Sequence, residues 1–97
     1  MEKLLEKEIE RRMARSVKAR GGLSYKFVSP NAPGVPDRIV VAPGGAVWFV
    51  ELKTEAGRVS ALQRSHLTKL ENRGANVRVL FGARAVEDFI SEVFGNG

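Results

Sequence analysis

The chain has 97 residues, 28% of them charged, a net charge of +5 and no cysteine. That length suits one domain, here read as 1–97, with a modest core; the missing cysteines exclude disulfides and thiolate metal sites. Any metal would rest on carboxylates, carbonyls or His66, which favours a hard cation such as Mg²⁺ or Mn²⁺.

The basic balance suits a polyanion such as nucleic acid. No apolar run reaches the roughly 18 residues of a membrane span, and the charged N-terminus MEKLLEKEIERR is unlike a secretory signal. The expected location is therefore the cytoplasm of a bacterial or virus-infected host cell, with no membrane partner.

Residues 3–20 predict a helix, with Leu5, Ile9, Met13 and Val17 at i, i+4 spacing and Gly21-Gly22 as its stop. Leu23 to Ser29 predicts a strand. Pro30, Pro33, Gly34 and Pro36 mark a loop. Asp37 to Val41 and Ala46 to Lys53 predict two strands joined by a turn at Pro43-Gly44-Gly45, an antiparallel hairpin. Ser60 to Asn72 reads as a second helix ended by Gly74, Asn76 to Phe81 as a strand, and Ala83 to Phe94 as a final helix. The order is α-β-β-β-α-β-α. The few aromatic residues read as core, and His66 as packing or surface.

Three places break good folding practice, as functional sites often do. Strand alternation puts Glu51 and Lys53 on the face of Val47 and Phe49, where burial demands a partner for each charge. Taken alone, Glu-x-Lys also fits an ordinary exposed pair. Asp37 opens the preceding strand and, taken alone, fits a turn beside Pro36. The hairpin brings Asp37 and Glu51 to the same end of the sheet, where two carboxylates repel and a divalent cation relieves them. On the first helix, Glu6 projects inside the apolar stripe and Glu10 onto its edge. Either acid could face the interior.

Together these features resemble the PD-(D/E)xK nuclease superfamily, with Pro36-Asp37 as the PD and Glu51-Leu52-Lys53 as the ExK. More narrowly the chain resembles the VRR-NUC family, the virus-type replication-repair nucleases. The matching stretches are EKEIE (6–10), Gly21-Gly22, YKFVSP (25–30), GVPDRIVV (34–41), FVELKT (49–54) and SALQ (60–63). They cover roughly residues 6 to 94.

The resemblance implies a small restriction-endonuclease-like α/β core, a mixed sheet flanked by helices. It implies that Asp37, Glu51 and the Leu52 carbonyl bind metal and that Lys53 orients water or stabilises developing charge. Glu6, with Glu10 as second choice, completes the site. Gln63 matches a polar position facing the site, and Ser60-x-x-Gln63 is also a capping box. The implied activity is Mg²⁺- or Mn²⁺-dependent DNA cleavage that leaves a 5′ phosphate. It would be selective for branched duplexes such as Holliday junctions and carried out by a homodimer. The alternative is a less selective nicking enzyme, or a non-catalytic DNA-binding module of the same fold.

Basic residues available to grip DNA are Arg11, Arg12, Arg15, Lys18 and Arg20 on the first helix and Arg58, Arg64, Lys69 and Arg73 further on. Of all of these, with Lys26 and Arg38, the favoured set is Lys26, Arg38, Arg58 and Arg64, the latter pair flanking Glu51-Leu52-Lys53 in sequence. The last helix, through Val86, Phe89, Ile90, Val93 and Phe94, is the expected dimer surface.

Overall fold

The computed structural model describes residues 5–95. Within them the order is α1 (Glu6–Ala19), β1 (Leu23–Lys26), β2 (Arg38–Val41), β3 (Val47–Lys53), α2 (Ala61–Glu71), β4 (Asn76–Phe81) and α3 (Gly82–Phe94). Every expected element is present in the expected order. Residues 3 and 4 of the expected first helix lie outside the described residues.

The strands form one sheet in the order β1-β2-β3-β4. β1, β2 and β3 are antiparallel neighbours, and β3 and β4 run parallel, so the sheet is mixed. β1 ends at Lys26, earlier than its β-forming residues suggest. The Phe27 N–H still donates to the Asp37 carbonyl at 2.8 Å. Beyond it the chain runs through the proline-containing loop 28–36, and the pairing with β2 ends.

Side-chain alternation sorts the sheet into two faces. Val40, Val50, Leu52 and Leu80 turn to one face and pack in a single core with Ile9, Met13 and Val17 of α1 and Val86, Phe89 and Ile90 of α3. Trp48 joins them edge-on to Phe89, with ring centroids 6.2 Å apart. The opposite face carries Phe49, packed on Phe27 at 6.1 Å, and is covered in part by α2, whose Leu67 is buried. Two aromatic residues depart from the core expectation: Tyr25 and Phe81 are exposed.

The expected dimer surface is corrected by this packing. Val86, Phe89 and Ile90 are at most 3% exposed, because the apolar stripe of α3 is spent within the chain against α1 and the sheet. Val93 and Phe94 are partly buried against the same core.

Gly21 and Gly22 end α1 for separate reasons. Gly21 has φ +81°, and its N–H donates to Lys18 while that of Gly22 donates to Val17, the pairing that closes a helix through a left-handed residue. Gly22 is needed for space: a Cβ there would lie 2.8 Å from Val17 and 2.9 Å from the Phe94 ring. Gly22→Ala should therefore destabilise the protein by about 1–3 kcal/mol through overpacking, read as a lower urea midpoint. An unchanged midpoint would show that the α1–α3 contact yields freely.

Candidate active site

The site forms where β2 begins and β3 ends. Extending the β2–β3 register by one step sets Asp37 directly across from Glu51, as the hairpin argument expects. Glu51 is 4% exposed, an unusual state for a carboxylate. Two donors reach it. Lys53 Nζ lies 3.6 Å from Glu51 Oε2, and Gln63 Nε2 donates to the same oxygen at 3.3 Å. Asp37 Oδ1 accepts from the Leu52 N–H at 3.3 Å.

The electrostatics are strained. Burial pushes the Glu51 carboxyl up to about 7, with repulsion from Asp37 adding to it and Lys53 only partly offsetting it. Asp37 is raised as well, first by burial and then by Glu6, against the lowering effect of the Leu52 hydrogen bond. Ionising both carboxyls would thus place more negative charge here than the protein itself neutralises.

The two acids of α1 separate in the structure. Glu6 acts electrostatically on both Asp37 and Glu51. Glu10 forms an ion pair with Arg38. Glu10 is thereby committed to Arg38, and Glu6 is the α1 acid whose charge reaches the two carboxylates. The ion pair also corrects the expectation for Arg38, whose side chain is 12% exposed. A guanidinium this enclosed and already paired is a link between α1 and β2, poorly placed for a phosphate.

Gln63 both caps α2 and reaches Glu51. Its side-chain oxygen accepts from the Ser60 N–H at 2.9 Å while its own backbone N–H donates to Ser60 Oγ at 3.1 Å, a complete capping box. The amide nitrogen is thereby turned toward Glu51. His66 packs beside the loop before Asp37, within 3.3 Å of where a Gly34 Cβ would stand. Lys26 and the two loop-and-helix arginines, Arg58 and Arg64, have no salt bridge among the described residues.

The donor set fits a hard divalent cation. Among the described residues no three His, Cys, Asp or Glu side chains converge as a metal cage. Mg²⁺ does not need one: it keeps several waters and binds through one or two carboxylates. Asp37 and Glu51 supply those, and their mutual repulsion is what a cation would relieve. The Leu52 N–H faces the β2 side, so its carbonyl does too. It points beyond the last β2–β3 pair, Arg38 with Val50, where a ladder partner is lacking.

A mixed sheet with two acids and a lysine at the end of its hairpin, and a glutamate of the first helix beside them, is the arrangement of a PD-(D/E)xK nuclease domain. The comparisons narrow this. The VRR-NUC domain family matches residues 2–84. A protein named "Putative nuclease p44", from Acyrthosiphon pisum secondary endosymbiont phage 1, is 39% identical over 80 residues, 82% of this chain and 86% of that one. A solved structure described as a VRR_NUC domain superposes with TM-score 0.83 at 31% identity, covering 89% of this chain and 94% of the other. Another, described as a VRR_NUC domain protein, shares the fold with TM-score 0.75 at 18% identity, covering 99% and 93%. The chain belongs to the VRR-NUC family of nuclease domains.

Proposed function

We propose that this protein is a Mg²⁺- or Mn²⁺-dependent endodeoxyribonuclease whose reacting site is Asp37, Glu51 and Lys53, with Glu6 and Gln63 beside them. The observation that carries this reading is the pair of facing carboxylates, Glu51 buried and Asp37 half-buried, both with raised pKa and a single ammonium alongside. Asp37, Glu51 and the Leu52 carbonyl would hold the cation. When bound, it supplies a water of lowered pKa and charge neutralisation at the phosphate.

The chain's own groups do the rest. The Leu52 N–H fixes the Asp37 carboxylate, and Gln63 fixes that of Glu51. Lys53 carries its positive charge to the edge of the metal site, where it stabilises charge developing on the scissile phosphate. A cut that leaves a 5′ phosphate is carried over from the family resemblance.

The substrate is proposed to be branched duplex DNA, such as a four-way junction, cut by a homodimer that presents two sites related by C2 symmetry. Exposed Leu23, Tyr25 and Val47 on one face of the sheet support self-association there, since apolar groups so placed favour a partner.

Cleavage of linear duplex, flap and four-way junction DNA with Mg²⁺ or Mn²⁺ tests the reading. Asp37→Ala and Lys53→Ala should each lower the rate at least about 100-fold. Cutting that survives both substitutions would overturn the site. Binding without cutting would favour a DNA-binding module, and equal cutting of all three substrates a less selective nuclease. A monomer at micromolar concentration would remove the dimer.

A further inference from the structure

α1 and α3 lie side by side over the sheet, and the seam between their outer surfaces opens into a cavity of about 260 Å³. Its floor is apolar, formed by Ala83 and the edges of Val86 and Ile90, and its walls carry Arg12, Arg15 and Arg20 against one acid, Glu87. The Arg20 guanidinium is tethered by donating to the Ser16 carbonyl at 3.3 Å. An adjoining recess shares Arg12 and Arg15 and adds Arg11 and Glu8. Arg20 to Glu8 is twelve residues of helix, about 18 Å. The result is a basic track along the outer surface of α1.

These arginines differ from others in the chain. Arg38, Arg78 and Arg84 each have a carboxylate partner. Arg11, Arg12, Arg15 and Arg20 have no salt bridge among the described residues. Four guanidiniums of α1 and its C-cap face two carboxylates, Glu8 of α1 and Glu87 of α3. That excess of positive charge suits the polyanionic phosphodiester backbone of a duplex.

We propose that the α1–α3 groove is a second nucleic-acid contact, gripping phosphates of the substrate away from the cut through Arg12, Arg15 and Arg20. The inference rests on DNA being the substrate, as proposed above, but not on catalysis. It adds to the arginines near Glu51-Leu52-Lys53 in sequence a surface that only the pairing of α1 with α3 creates.

The test measures binding of a labelled linear DNA duplex against salt concentration, in an Asp37→Ala background that suppresses cutting. R12Q/R15Q/R20Q should lower affinity at least about tenfold near 0.15 M salt and reduce the slope of log K on log salt by about 2 to 3. R12K/R15K/R20K should keep most of that slope, which separates charge from misfolding. With Asp37 intact, the Gln variant should still hydrolyse bis(p-nitrophenyl) phosphate at the wild-type rate, because so small a diester cannot reach the groove. Unchanged affinity and slope in the Gln variant, or no duplex binding by the background protein, would overturn the groove. A wild type that binds DNA without cutting it would overturn the nuclease reading and leave the groove comparison valid.

Discussion

Glu51→Gln should make the metal-free protein more stable and inactive at once. The wild-type carboxylate is almost wholly enclosed, faces Asp37, and has its pKa pushed up to about 7. At pH 8 it is ionised at a cost that Lys53 and Gln63 only partly offset. A neutral amide of the same shape removes the repulsion and most of the desolvation penalty, and its oxygen still accepts from Gln63. The expected gain is about 1–2 kcal/mol at pH 8, or roughly 5–10 °C in Tm for a domain of this size. It should shrink toward pH 5, where the wild-type carboxyl is already protonated in the folded state. Cleavage with Mg²⁺ should fall at least about 1,000-fold, because a neutral amide is a poor ligand for a hard cation. A lower Tm at pH 8 in EDTA would contradict the strain argument, and retained cleavage would contradict the ligand assignment.

The second large effect is a pH dependence that metal reverses. The folded-state pKa of Glu51, about 7, lies above its ordinary value of 4.5, so the folded protein holds a proton that the unfolded chain releases. Stability from this group is greatest below about pH 4.5, declines between 4.5 and 7, and is level above 7. Asp37 is shifted in the same direction and adds to the decline. The Glu51 shift corresponds to about 3 kcal/mol at full extent. Mg²⁺ at 100 times its Kd would return about 2.7 kcal/mol. It would do so mainly above pH 7, since carboxylate ligands bind metal when deprotonated. Urea midpoints from pH 5 to 8, in EDTA and in Mg²⁺, should therefore diverge as pH rises. Curves that coincide at pH 8 would mean the two carboxylates do not hold the cation.

How much of this was written in the sequence depends on the range of the interactions involved. The elements were legible because each is specified locally: the i, i+4 stripe of α1, the β-branched runs of β2 and β3, and glycines where the chain must turn left-handed. The meeting of Asp37 and Glu51 was legible too, because a short hairpin fixes its own register. The double use of Gln63 followed from its position three residues after Ser60, which forms the cap and leaves the amide nitrogen free for Glu51.

Other features depended on which elements pack together. Helix phasing put Glu6 and Glu10 on nearly the same face, and only the docking of α1 on the sheet gave Glu10 to Arg38. The same ion pair withdrew Arg38 from the set of phosphate contacts. The apolar stripe of α3 read as a dimer surface and proved to be core, since periodicity marks what is buried without naming its partner. The arginines of α1 read as available to grip DNA, and only α3 supplied the other wall of a groove around them. The sequence by itself determined the elements, their order and the carboxylate pair with its lysine. Tertiary structure decided which acid faces that pair, which arginines are free, and what α3 covers, because charges and apolar stripes acquire their partners only when distant segments pack.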